Sequence, residues 1–444
     1  MSYKEEIELL KGALERLSEG FGDLPAVETT LDTDRIRAVM DEVATRMQDN
    51  YPYHHPRYAG QMLKPPHPVA RIAYMLSLWI NPNNHALDGG IASSQMEKEA
   101  VAALGAMFGI DQPLGHLCGG GTMANLEALW VASKLRPGDI IVASGQAHYT
   151  HSRICEVLGL EFAQVDTDAA GRMDPAALGK LLGNSKIGTV VVTLGTTGLG
   201  AVDPLQEIVE LQKKHGFRIH VDAAYGGYFQ IASELSPDVR TAFDAINNAD
   251  SIVIDPHKHG LQPYGCGCVM FKDPSVGALY QHDSPYTYFS SAELHLGEIS
   301  LECSRPGASA VALWATQRML PMERGGEFSE MLDRSLLAAR ALHSKIQDSQ
   351  TYRSLFTPQL DIVVYGVDAP DAKNASERAR KIFEDAAKQD LHLALIELPV
   401  VMVQHYWPEL EANQDTVTCL RSVLMKPEHL DWIDDIYDEL ERVS

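Results

Sequence analysis

The sequence predicts an α/β chain, a mostly parallel doubly wound sheet followed by a small α+β unit. Three observations predict it. Helical patterns alternate with β-rich runs through the middle of the chain. The runs TVVVTLGTT at 189, RIHVDAAY at 218 and SIVIDPHK at 251 are almost continuously apolar, as strands covered on both faces are. Between the first two lies DPLQEIVELQKKHG, which reads as the crossover helix that joins parallel neighbours.

In chain order, helical patterns at about 3–18 and 33–47 come first. MSYKEEIELLKGALERL carries charges through its apolar positions at helical spacing. A surface or dimer-arm helix is expected there, and a secretory leader is not. The prolines of YPYHHPRYAGQMLKPPHP forbid a continuous helix, so an ordered arm or linker follows. Strands are expected at DIIVAS (139), at the three apolar runs and at GCGCVMF (265). A helix beginning near Gly307 changes the pattern to helix, strand (LDIVVYGV), helix (DAKNASERARKIFEDAAK), two strands (LHLALIEL, TVTCLRSVLM) and the acidic helix EHLDWIDDIYDELE. The expected division is a helical arm over 1–66, a large domain over 67–303 and a small domain over 304–444.

With 45% hydrophobic and 22% charged residues, the 444-residue chain has the make-up of a folded globular protein. Sixty acidic against 37 basic residues give a formal charge of −23, which repels phosphate backbones and anionic lipid, and no Lys/Arg run offsets it. Nucleic-acid and membrane partners are therefore not expected. The apolar stretches at 72–80 and 189–194 fall far short of the roughly 20 residues of a membrane span. Cys118, Cys155, Cys266, Cys268, Cys303 and Cys419 are scattered, the pattern of reduced thiols in a cytoplasmic chain.

Asp222 and Lys258 interrupt apolar strands at their carboxyl ends, where ligands of such sheets sit. They admit two readings: a pyridoxal phosphate site with Lys258 as Schiff-base residue and Asp222 on the pyridine nitrogen, or a buried structural ion pair. HLCGGGTMANLEALWVASK puts consecutive glycines and Thr122 at a helix start, which suits a phosphate monoester better than a nucleotide. His148 follows the DIIVAS strand, where an imidazole stacks on a flat cofactor or merely caps, and Ala223 and Ala224 leave room for a ring. His148 with His151, or Cys266 with Cys268, are too few to make a metal site, and no metal is expected. Cys303 reads as a packing cysteine. Arg305 precedes a helix and reads either as an anion ligand or as half of a surface ion pair.

Taken together and in order, HPRYAG, NPNNHALDGG, GGGTMANLEAL, GQAHYTHS, TLGTTGLGAVD, HVDAAYGG, DPHKHG and LECSRPGASAVALW resemble the group II pyridoxal phosphate-dependent amino acid decarboxylases over roughly residues 50–425. The LECSRPGASAVALWATQRMLP block and the compact length are most similar to microbial tyrosine decarboxylases and the archaeal tyrosine/aspartate branch. The resemblance implies a fold-type I homodimer with a mostly parallel seven-stranded sheet and active sites at the subunit interface. It implies Lys258 as the Schiff-base lysine, Asp222 as the pyridinium partner, His148 stacked on the ring and Ala224 against its other face. Gly121 and Thr122 would cradle the phosphate, Thr196 would support the stack, and His257 matches the histidine of the family's HK pair. Tyr286, or the nearby Tyr288, falls where the family keeps a proton-donating loop tyrosine.

Two positions depart from the family pattern. Asp255 stands where asparagine is common, so no phosphate role is carried over to it. His259 replaces an aromatic or aliphatic residue, and its role stays open.

Decarboxylation of an aromatic L-amino acid is expected. Tyr53, Tyr58, Tyr286, Tyr288 and Phe289 would supply aromatic walls, whereas Arg57 and Lys64 could anchor an acidic substrate. A carbon–carbon lyase would need a second anion site for its substrate's phosphate, and a catalytically silent binding protein would not need an intact Lys258, Asp222 and His148.

Overall fold

The computed structural model describes residues 2–25, 27, 30–281 and 294–444. Helices α1 (Tyr3–Glu19) and α2 (Thr33–Met47) open the chain. Ser2 and Glu5 form a capping box at the start of α1, and Asp32 caps α2. Helix α1 rests on α3 (Pro68–Ser77) through the buried Leu10 and a Glu6–Arg71 ion pair. No residue of α2 is buried.

After α4 (Ile91–Met107) the chain enters the main sheet: β1 (Leu114–Cys118), α5 (Gly121–Leu135), β2 (Ile140–Ser144), α6 (Thr150–Leu158), β3 (Phe162–Val165), α7 (Pro175–Asn184), β4 (Ile187–Thr193), α8 (Leu205–His215), β5 (Arg218–Asp222), α9 (Pro237–Asp244), β6 (Ser251–Ile254) and β7 (Gly267–Phe271). The seven strands lie in the order β1-β7-β6-β5-β4-β2-β3. Pairing is parallel from β3 across to β6, while β7 runs antiparallel to both β6 and β1.

Helices cover both faces of this sheet, and every residue of β4, β6 and β7 is buried. That burial explains the unbroken apolar runs. Because β1, β2, β4, β5 and β6 all point the same way, their carboxyl ends meet along one edge, and the loops that leave them converge there.

Beyond α10 (Ala308–Met319) and α11 (Glu327–Asp348) comes a second, antiparallel sheet of β8 (Tyr352–Ser354), β9 (Ile362–Val367), β10 (Ala394–Pro399) and β11 (Thr416–Val423), in the order β10-β11-β9-β8. It packs with α12 (Ala372–Ala387), α13 (Val400–Gln404) and α14 (His429–Arg442). The proline-rich stretch is anchored to this unit. Tyr58 bridges to His392, Arg57 makes two hydrogen bonds to Asp435 at 2.9 Å, and Lys426 Nζ donates to Tyr58 O at 2.6 Å. Among the described residues, no helix is long and apolar enough to cross a membrane.

Candidate active site

A cavity of about 540 Å³ opens at the carboxyl edge of the main sheet. One end is glycine. Gly119, Gly120 and Gly121 link β1 to α5, and Gly120 adopts φ +145°. A Cβ on Gly121 would stand 2.9 Å from Asp255 Oδ2 and 3.3 Å from Ala224 Cβ, so the loop can follow this path only without a side chain. No side chain caps α5. The first-turn N–H groups of Gly121, Thr122 and Met123, which have no partner within a helix, therefore stand at the cavity as an anion cradle.

At the other end is Asp222, the last residue of β5. Its Oδ2 accepts from His151 Nε2 at 2.9 Å and from Asn125 Nδ2 at 3.3 Å, and its Oδ1 accepts from the Ala224 N–H at 3.1 Å. Burial alone would raise the carboxyl's pKa. The hydrogen bond and electrostatic pull of His151, the Ala224 N–H and the pull of Lys258 outweigh it and hold Asp222 far below the usual carboxylate range.

A second row stands behind Asn125. Burial pushes His220 down to about 3, so its imidazole is neutral. Nε2–H donates to Asn125 Oδ1 at 2.7 Å, and Nδ1 accepts from the Ser251 hydroxyl at 2.9 Å. Ser251, His220, Asn125 and Asp222 thus form one directed chain of donors ending on the carboxylate.

Between the two ends lies Lys258, whose Nζ is 3.1 Å from Asp255 Oδ2. His257 Nδ1 donates to Cys266 O at 2.8 Å, and its ring lies 4.7 Å from that of Tyr264. His148 lines the cavity, and its Nδ1 accepts from the Thr150 hydroxyl at 2.8 Å, which fixes the ring. Burial, helped by Lys258, lowers the pKa of both histidines. Asp255 Oδ1 is buried without a hydrogen-bond partner among the described residues.

The structure thus brings together Gly121, Thr122, His148, Asp222, Ala224, His257 and Lys258. Thr196 stands apart. It is fully buried, its Oγ1 accepts from the Ala201 N–H at 3.0 Å, and Thr193 and Thr197 line the wall instead. Arg305 is neither an anion ligand nor a surface ion pair. It is buried, 3.0 Å from Glu97 and donating to Leu117 O behind the glycine loop. Cys303 is exposed, not packed, with its Sγ 3.8 Å from His85 Nε2.

Neither cation considered for an acidic substrate reaches the cavity. Arg57 is engaged by Asp435, and Lys64 is buried with Nζ donating to Met425 O at 3.0 Å. Tyr53 and Tyr58 pack against each other and, with Tyr51 and His392, beside the small sheet. His259 lies behind Tyr225, with Nε2 3.1 Å from Asp361 Oδ2, while Tyr225 donates to Asp361 Oδ1 at 2.6 Å. Tyr286, Tyr288 and Phe289 lie outside the described residues. Among the described residues, no three His, Cys, Asp or Glu side chains cluster as metal ligands would.

Several neighbours of the site went unread in the sequence. Asn125 was an amide inside an apolar helical pattern, and His220 a polar break in RIHVD; both breaks were visible signals. Tyr264 and Arg421 gave none. From β11, Arg421 donates to Thr197 O at 2.6 Å and to Gly198 O at 3.0 Å.

Residues 127–367 match the family model described as the pyridoxal-dependent decarboxylase conserved domain. The chain is 28% identical to an L-tyrosine decarboxylase of Enterococcus faecium, over 79% of this chain and 73% of that one. It is 27% identical to an L-aspartate decarboxylase of Thermococcus kodakarensis, over 77% and 87% of the two chains. Its fold is similar to the crystal structure of mouse CSAD, with a TM-score of 0.80 at 21% identity, covering 100% of this chain and 92% of the other.

Proposed function

The chain belongs to the pyridoxal-dependent decarboxylase family, and on that premise we propose that its substrate is an aromatic, tyrosine-like L-amino acid, converted to the amine and CO2 by a cytoplasmic homodimer. One observation carries the choice of substrate. Among the described residues that line the cavity, Lys258 is the only lysine or arginine, and Tyr225, Tyr264, His148 and His257 supply flat walls. The segment 282–293 adds Tyr286, Tyr288 and Phe289 to the sequence but neither lysine nor arginine. Among these residues a side-chain carboxylate would find no dedicated cation, and its burial would carry a high desolvation cost.

The residues fit pyridoxal phosphate. An uncapped helix start lined by glycine suits its phosphate, and a carboxylate with an acceptor site to spare suits its ring nitrogen. When bound, the cofactor supplies an aldehyde that bonds to amines and a ring that takes up the electrons released as CO2 leaves.

The chain's own side chains do the rest. Lys258, the only lysine among the described residues of the lining, would hold the cofactor by its aldehyde. Asp222 holds a proton at the ring nitrogen, an electrostatic contribution that is large in a water-poor site. His148 and Ala224 would flank the ring, and the N–H groups of Gly121 and Thr122 would hold the phosphate. Tyr286 delivers the proton to Cα.

Helix α2 supports the dimer. Ile36, Val39, Met40, Val43 and Met47 fall on one face and are all exposed, more apolar surface than a lone helix leaves in water.

A substrate panel tests the choice. CO2 and amine release from tyrosine, phenylalanine, tryptophan, aspartate and glutamate should favour tyrosine in kcat/KM by at least about tenfold, the discrimination one well-matched wall contributes. Preference for aspartate would replace the aromatic reading with the acidic one.

A further inference from the structure

His151 is fully buried on α6, and its Nε2 lies 2.9 Å from Asp222 Oδ2, while its Nδ1 has no hydrogen-bond partner among the described residues. An apolar side chain would fill this space without stranding a ring nitrogen, so packing does not explain an imidazole here. The acceptor count does. Ionised Asp222 has two oxygens with about four lone-pair sites. Among the described residues, Oδ2 takes two side-chain donors, His151 Nε2–H and Asn125 Nδ2–H, whereas Oδ1 takes only the Ala224 N–H. The oxygen with spare capacity is Oδ1, on a residue that lines the cavity.

We infer that His151 is a positioning residue for Asp222, occupying Oδ2 so that Oδ1 is the oxygen presented to the cofactor ring nitrogen, and keeping the shared proton on that nitrogen. The inference rests on the assignment of Asp222 to the ring. A donor on Oδ2 withdraws charge from the carboxylate and makes it a weaker base, so a proton lying between Oδ1 and the ring stays with the ring. Asn125 contributes in the same sense, but at 3.3 Å it is the longer of the two bonds. The charged or titratable groups around His151 are Asp222 on β5, His220 with ring centroids 6.5 Å away, and Lys258 and His148 across the cavity.

The test uses the full chain loaded with pyridoxal phosphate labelled with nitrogen-15 in the ring. Ring-nitrogen chemical shift, cofactor Kd by equilibrium dialysis and thermal midpoint are measured for wild type, His151→Phe, His151→Leu, His151→Gln and Asp222→Ala. The two apolar variants should move the nitrogen signal toward its unprotonated value and weaken cofactor binding by roughly tenfold, the loss of one hydrogen bond to a charged group. Gln, which keeps an N–H donor, should restore most of both. Leu is read if Phe proves too large to fold.

A nitrogen signal unmoved in the apolar variants while Asp222→Ala moves it would overturn the inference and leave Asp222 on the ring. A signal unmoved even by Asp222→Ala would overturn the assignment of Asp222 and the inference with it. A lowered thermal midpoint with an unchanged signal would make His151 a packing residue and overturn the inference too.

Discussion

Adding one methyl group at Gly121 probes the anion cradle directly. Of the atoms a Cβ would meet there, Asp255 Oδ2 at 2.9 Å is closer than side chains tolerate, and Ala224 Cβ and Asp255 Oδ1 at 3.3 Å are tight. Asp255 cannot simply step aside, because it is 3% exposed and lies 3.1 Å from Lys258 Nζ. The backbone at Gly121 is not in the left-handed region, so the cost is one of space. Overpacking of this kind costs about 1–3 kcal/mol, a fall in thermal midpoint of roughly 1–3 °C for the apo chain. Cofactor affinity should fall further, by at least about tenfold, because the methyl group also occupies the approach to the first-turn N–H groups. Gly183→Ala, where a Cβ meets nothing within 4 Å, is the matched control. Absorbance titration of both variants with pyridoxal phosphate decides the matter: equal affinity in Gly121→Ala and wild type would falsify the phosphate assignment.

Borohydride reduction in the presence of pyridoxal phosphate should label wild type with one pyridoxyl group by mass spectrometry and leave Lys258→Ala unlabelled; equal labelling would move the attachment point elsewhere. Tyr286→Phe should release less amine than CO2, whereas a stoichiometric yield there and a deficit in Tyr288→Phe would transfer the role to Tyr288. Light scattering should give about twice 48.8 kDa, and Val39→Glu with Val43→Glu should lower it toward the monomer; an unchanged dimer would clear α2 of the interface. Burial, with Lys64 nearby, pushes Lys426 down to about 7. Its stabilising contribution is therefore present above the ordinary lysine range and is lost as pH falls toward 7. Between pH 7 and 9.5 wild type should gain on the order of 1–3 kcal/mol relative to Lys426→Met in urea unfolding, and parallel profiles would refute this.

What the sequence made legible follows from burial. β4, β5 and β6 announced themselves because both faces are covered, and Asp222 and Lys258 stood out against that apolar background. β1 and β3 did not, the first because LGHLC carries a buried histidine and the second because FAQV is a half-exposed edge. The antiparallel direction of β7 leaves no mark on composition. Thr196 lies in the turn beyond β4, where its backbone and hydroxyl bond to Gly200 and Ala201, a local fold that the threonine-rich run does not reveal, and Thr193 and Thr197 line the cavity. Arg305 precedes a helix, a place that suits an anion ligand or a surface ion pair, yet Glu97, more than 200 positions away, pairs with it in the interior. The bond from His151 to Asp222 also depends on tertiary approach, between residues 71 positions apart, and no local pattern encodes such a meeting.

Arg421 gives the wall of the cavity an unexpected owner. By donating to Thr197 O and Gly198 O from β11, and with Tyr225 bonded to Asp361 just before β9, it ties a loop of the large sheet to the small one. Cooperative opening then follows these ties rather than the order of the chain. Amide exchange in 195–200 should keep pace with β9 and β11, not with β4, from which the loop springs. A lesion deep in the C-terminal sheet, touching no ligand, would loosen the cavity as surely as one in its lining.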